Sequence, residues 1–165
     1  MSDDILVIEN VPVEGTFPEG GLISIWTLNR PDKLNSLNSN SHKALKEACE
    51  LAESNDSIRV IVIVGAPPNP PLEGRKSKPY SFAAGADISE FVGKNSDDVR
   101  PFFEDNAWER VWNLSKPTIA MIDGFALGEA LQRGRRSLSP RCSEDADPIR
   151  AQGVVVAIAT GQVQP

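Results

Sequence analysis

The chain opens with two short extended segments, separated by a turn. Ile5-Leu6-Val7-Ile8 is an apolar run ended by Asn10 and Pro12, and Leu22 to Leu28 is rich in β-branched and aromatic residues. Gly15, Pro18 and Gly21 supply turn chemistry between them, so the pair reads as two antiparallel strands. Asn29-Arg30-Pro31-Asp32 stops the second strand, because proline cannot donate to a ladder and Asn and Asp favour turns. The period then changes. Leu45, Ala48, Cys49 and Ala52 fall at i, i+3, i+4 and i+7, which predicts a helix from about Ser41 to about Ser54 with one buried face. Several cap residues precede it among positions 35–41. Cys49 on the apolar face reads as packing, and His42 in the first turn reads as a surface residue.

Val60 to Val64, closed by Gly65, is a β-branched run without alternation, as expected of a strand covered on both faces. Strand, helix and strand in this order predict a right-handed parallel crossover and an α/β domain. A proline-rich loop follows from Ala66 to Tyr80, carrying Arg75, Lys76 and Lys78, and reads as exposed. In a second helical pattern Phe103, Ala107, Val111 and Leu114 share one face, with Asp97 and Asp98 in the first turn, Pro101 near the start and Pro117 at the end. Thr118 to Ile122 then reads as another buried strand, and Asp123 to Gly128 as a glycine-bearing turn.

Composition narrows the classes. A chain of 165 residues suffices for one domain with a core and is short for two. A net charge of -6 leaves no basic field to gather phosphates, which argues against a nucleic-acid partner. No stretch has the length of a membrane span. Cys49 and Cys142 make no disulfide framework, and the acidic N-terminus lacks a signal-peptide pattern; the expected location is cytoplasmic. A single histidine argues against a His-dependent triad or a multi-His metal site, so no metal is expected. After Gly128 the composition shifts: all seven lysines precede it, whereas Arg133, Arg135, Arg136, Arg141 and Arg150 crowd beyond it. Residues 129–148 show no sustained apolar period and are expected to be poorly ordered, and residues 129–165 to pack poorly against the body. Gly153 to Ala159 is expected to be either a strand or an exposed sticky segment.

The candidate chemistry centres on Phe82-Ala83-Ala84-Gly85-Ala86-Asp87-Ile88. Its small residues allow another molecule close to the backbone, and a backbone N–H presented near the positive end of a helix suits a developing oxyanion. The alternative is a tight strand-to-helix connection without chemistry.

Three stretches in order carry a family resemblance. Leu28-Asn29-Arg30-Pro31-Asp32-Lys33-Leu34-Asn35-Ser36-Leu37-Asn38 is similar to the first signature of the crotonase (enoyl-CoA hydratase/isomerase) superfamily. Ser81 to Ile88 resembles its oxyanion loop, and Lys116 to Gly128 resembles the strand and turn leading to its second oxyanion donor. The resemblance implies a truncated crotonase-like spiral of ββα units that binds acyl-CoA thioesters, CoA being part of the substrate and no separate cofactor being needed. Residues 1–128 would form a partial acyl-CoA-binding domain and residues 129–165 an atypical tail. By motif position Ala86 is the first oxyanion donor, with Ala84, Asp87 and Ile88 along the acyl-pantetheine path and Lys33 and Ser36 lining the CoA site. Ser36 replaces the more usual alanine.

The pattern departs after Gly128, the candidate end of the second donor turn. A gap-free count puts Glu129 at the second-donor position and Gln132 at the position of the family's acid/base glutamate. A short deletion instead makes Glu129 that acid/base, at the expense of the glycine turn. The second glutamate of the hydratases and the C-terminal helices that build the family's trimers and hexamers have no counterpart, and the tail reads as an altered frame or mis-spliced end. Three readings follow: an enoyl-CoA hydratase or isomerase, a non-catalytic acyl-CoA-binding remnant or unstable product, and an unrelated α/β interaction domain.

Overall fold

The structure is a computed structural model that describes residues 4–14, 20–104, 107–127 and 150–159. Strands β1 (Leu6–Val13) and β2 (Gly21–Leu28) form the expected antiparallel pair. Contrary to expectation, β1 runs on through Asn10 and Pro12. Among the described residues it pairs with β2 alone, and on such an edge a missing N–H need not cost a ladder bond.

Helix α1 (Ser39–Ser54) follows, then β3 (Ile58–Gly65), which pairs parallel with β2 as the crossover reading requires. The Asn38 side chain caps α1 by accepting from the Ser41 N–H at 2.9 Å. Leu45, Ala48, Cys49 and Ala52 are all buried on one face. They cluster with Trp26, Ile61, Ile63, Ile122 and Ala126 from the sheet, where each large apolar side chain contributes about 1.5–3 kcal/mol. The Cys49 thiol is pushed up to about 12, first by burial and then by Glu53, so it packs rather than reacts. On β3 the two faces differ. Ile58, Ile61 and Ile63 are buried, while Val60, Val62 and Val64 are only half-buried.

Beyond β4 (Ser81–Ala83), α2 (Ser96–Glu104) and α3 (Ala107–Trp112) lead to β5 (Thr118–Ala126). Pro101 lies inside α2, and Ala107, Val111 and Leu114 are buried as expected. The first half of β5 pairs parallel with β3 and its end with β4, giving the order β1-β2-β3-β5-β4. Here β5 outruns its expected end at Ile122. It continues through a register shift at Gly124, so the segment read as a turn is strand as far as Ala126.

The surface placement expected of His42 is also overturned. Position 42 precedes Leu45 by three and joins the buried face. Its Nδ1 accepts the Ala107 N–H at 3.0 Å, and its ring packs edge-on against Phe102. The loop after β3 is exposed as expected over most of its length.

In the tail, β6 (Arg150–Ala159) pairs antiparallel with β5. The strand alternative therefore holds for Gly153 to Ala159, and this part of the tail is joined to the sheet rather than loose. Residues 128–149, with Gly128, Glu129 and Gln132, lie outside the described residues. Among the described residues no helix is long and apolar enough to cross a membrane.

Candidate functional site

The site is built where two chain segments run side by side. After β2 the chain makes a 3-10 turn at Pro31–Lys33 and then places Leu34 and Asn35 in the left-handed region, at φ 51 and 55. A leucine is disfavoured there, so the surroundings must impose the conformation. They do so through Asn35, which is buried. Its Nδ2 donates to the carbonyls of Ala66 (2.9 Å) and Ser81 (2.8 Å), and its Oδ1 accepts the Arg30 N–H at 3.0 Å. One amide thus ties the first signature to the end of β3 and the start of β4.

The second segment leaves β4 and passes Gly85, whose φ of 83 suits glycine. The Ala84 N–H donates to the Leu34 carbonyl (3.0 Å), the Leu37 N–H to the Gly85 carbonyl (2.8 Å) and the Asp87 N–H to the Leu37 carbonyl (2.8 Å). This is a one-residue parallel bridge between Leu37 and Ala86. Bonding on both sides of Ala86 turns its own N–H away from Leu37. Among the described residues, the N–H groups of Gly85 and Ala86 have no hydrogen-bond partner. Adjacent backbone N–H groups on a turn are donors that an anionic oxygen can use.

An ion pair locks the turn. Arg30 Nη2 meets Asp87 Oδ2 at 2.8 Å, and Arg30 Nη1 donates to the Ser36 carbonyl at 2.7 Å. The Ser89 hydroxyl and N–H donate to Asp87 Oδ1, capping the 3-10 turn Ile88–Phe91 that Asp87 opens. The Ser89 hydroxyl, followed by Arg30, holds the Asp87 carboxyl down to about 2. The folded value lies below an unfolded one of about 3.9, so this stabilisation is complete above that range and is lost as pH falls towards 2. We expect Asp87→Asn to lose about 1.5–3 kcal/mol at pH 7, with a smaller deficit at pH 3. Urea unfolding at the two pH values checks it; an equal deficit at both would show that the charge is not what stabilises the turn.

The structure brings together most of the residues expected to bind substrate. Ala84, Ala86, Asp87 and Ile88 lie on the turn, and Lys33 and Ser36 on the segment beside it. Ile88 is 77% exposed and Lys33 is also exposed, whereas Ser36 is buried with its carbonyl taken by Arg30. Asp87 is committed to the ion pair, so its role here is to hold the turn. Leu127, the last described residue before Gly128, donates its N–H to the Ala83 carbonyl at 2.9 Å. The candidates Gly128 and Glu129 therefore follow from a point beside the turn but lie outside the described residues. Arg30 and Asn35 went unrecognised as supports in the sequence, where they read as strand stop and possible cap. The available signal was an opposite charge, Arg30 and Asp87, in each of two motifs. A separate cleft of about 340 Å³, lined by Ser39, His42, Lys43, Lys46, Phe91 and Phe102 among others, includes none of residues 84–88. Among the described residues no group of three or more His, Cys, Asp or Glu is placed to hold a metal ion.

Comparison with known proteins identifies relatives of this chain. Residues 19–132 match the family model described as enoyl-CoA hydratase/isomerase. A short-chain-enoyl-CoA hydratase of Clostridium acetobutylicum is 36% identical over 110 residues, which cover 66% of this chain and 38% of that protein. A mitochondrial methylglutaconyl-CoA hydratase of Mus musculus is 31% identical over 133 residues, covering 79% of this chain and 39% of that one. The crystal structure of an enoyl-CoA hydratase from Bacillus anthracis superposes with a TM-score of 0.59 at 27% identity, covering 76% of this chain and 42% of that one. The chain thus spans about two fifths of the length of these relatives, and its α/β fold is the crotonase-like fold of the hydratase structures. The chain belongs to the enoyl-CoA hydratase/isomerase family.

Proposed function

We propose that this chain binds acyl-CoA thioesters along residues 84–88 and polarises the thioester carbonyl through the Ala86 N–H, with little or no turnover of its own. The observation that carries the reading is that the Ala86 N–H has no partner among the described residues, on a turn clamped from both sides. A donor that is already oriented needs no reorganisation as charge develops on the carbonyl oxygen, and such a donor is worth roughly 3–4 kcal/mol of barrier. The exposed Ile88 offers apolar surface to the pantetheine arm, and Lys33 a cation to the CoA phosphates. Gly128 is the candidate for the second half of the hole.

Water addition also needs a positioned acid/base. The two carboxylates on the turn are both engaged, Asp87 by Arg30 and Ser89, and Glu90 by the N–H and hydroxyl of Ser39 at 2.8 Å. With Gln132 in the glutamate position of a gap-free count, Glu129 is the remaining candidate for proton transfer. Its absence from that role would remove about 10²–10⁴-fold in rate.

The test uses the purified chain with crotonyl-CoA and with an aromatic enoyl-CoA whose absorbance reports carbonyl polarisation. We expect binding, a red shift of the bound chromophore, and negligible hydration. Ala86→Pro, which deletes the N–H, should abolish the red shift and weaken binding about 10-fold. Rapid hydration abolished by Glu129→Gln would overturn the low-turnover reading and make Glu129 the acid/base. An unshifted chromophore in the parent chain would overturn polarisation by Ala86.

A further inference from the structure

The cleft bordered by the start of α1 and by the segment from Phe91 into α2 takes no part in the function proposed above. Its volume is about 340 Å³, at the small end of the roughly 300–1,000 Å³ of ligand pockets, and none of residues 84–88 lines it. One wall is built of rings. Phe91 and Phe102 meet edge to face at 5.1 Å, and the His42 ring stands edge-on to Phe102 at 4.5 Å. Both phenylalanines are only half-buried, so part of this ring surface is open to solvent, and Val99 and Pro101 extend it.

The rim of the cleft is cationic. Lys43 and Lys46 stand three positions apart on one side of α1, and Lys94 joins them from the segment before α2. Three of the seven lysines thus border one small cleft, in a chain whose net charge is -6. The carboxylate among the described lining residues is Asp98, which accepts the Asn95 N–H at 3.2 Å. Lys43 meets Glu47 at 3.9 Å with both side chains largely exposed, a loose pair, and Lys94 has no ion pair among the described residues. The start of α1 supplies no attraction of its own, because Glu90 already accepts from the N–H and hydroxyl of Ser39.

We propose that this cleft is a second binding site, for a small organic anion that lays a flat apolar body against Phe91 and Phe102 and sets a carboxylate or phosphate among the three lysines. The ring wall removes apolar ligand surface from water, and beside it the local dielectric falls, which strengthens the attraction between lysine and anion. An ammonium is a compact charge with rotatable donors, so it takes either oxyanion without the planar match that arginine favours. The volume admits a body of one or two rings and not a polymer, and the acidic remainder of the chain repels nucleic acid. The site stands or falls independently of thioester binding at residues 84–88.

Titration of the ¹⁵N-labelled chain, followed by its amide resonances, tests the site with three probes. We expect 2-naphthoate to shift the amides of Phe91, Lys94 and Phe102 to saturation. The same ring without charge, 2-naphthalenemethanol, and the charge without a ring, inorganic phosphate, should each bind at least about 10-fold more weakly. Lys43→Gln with Lys94→Gln should cost 2-naphthoate about 10-fold in affinity and leave the alcohol unchanged. Arg75→Gln with Lys76→Gln, the same loss of charge on the exposed loop, should change neither. Absence of saturable shifts at the three amides, an uncharged or ringless probe that matches 2-naphthoate, or an equal loss in the loop variant overturns the proposal. Shifts confined to residues 84–88 overturn it as well, by placing the anion on the thioester turn.

Discussion

Gly124→Ala should lower stability by about 3–5 kcal/mol, a large loss for one methyl group. Gly124 has a φ of 75, which an alanine adopts only at a cost of roughly 1–2 kcal/mol. The added Cβ would also run into the backbone carbonyl of Tyr80. That carbonyl cannot withdraw freely, because it accepts the Phe125 N–H at 3.1 Å where β4 joins β5. Gly124 also marks a register shift in the pairing of β5 with β6, a bulge just before β5 pairs with β4 at Phe125 and Ala126. Alanine therefore strains the backbone and separates the two strands at once. Urea unfolding of parent and variant measures the loss, and a difference under 1 kcal/mol would show that the bulge relaxes. Because β4 carries residues 84–86, thioester affinity should fall together with stability.

The same bulge shows where the sequence was legible and where it was not. The period-3.6 face of Leu45, Ala48, Cys49 and Ala52, and the β-branched run at residues 60–64, are local patterns, and both elements formed within a few residues of expectation. Asp123-Gly124 looks like a turn to local chemistry. Only the pairing with β4 and β6, both remote in sequence, keeps it in a strand. Pro12 misled for the related reason that edge position is a property of the sheet, not of the segment. His42 is buried because it lies three positions before Leu45 on the apolar face of α1, a spacing that the sequence carries. At the site, the small-residue turn was visible as a run of alanines. What orients it was not. Arg30 and Asp87 are separated by 57 positions and Asn35 and Ser81 by 46, and no local period reports contacts of that span.

Asn35 is the second position where a large effect is expected, and two substitutions there separate backbone from side chain. Asn35→Ala removes donors to the Ala66 and Ser81 carbonyls and the acceptor for the Arg30 N–H, in a place 2% exposed where little water can replace them. Three partners left short of a bond, each at about 1 kcal/mol or more, give a loss of about 3–4 kcal/mol. Alanine at φ 55 adds roughly 1 kcal/mol of conformational cost that asparagine tolerates better. Asn35→Gly loses the same bonds but not this last term. Glycine should therefore be the milder substitution by about 1 kcal/mol, after allowance for its more flexible unfolded chain. The functional consequence follows from the neighbouring bridge. Leu34 and Leu37 hold Ala84, Gly85 and Asp87 only while the first signature keeps its left-handed turn. Both variants should thus lose the red shift of a bound aromatic enoyl-CoA under conditions where circular dichroism shows them still folded. A folded Asn35→Gly chain with an undiminished shift would mean that the Ala86 N–H is oriented by β4 alone, with the Arg30–Asp87 pair sufficient to hold the turn.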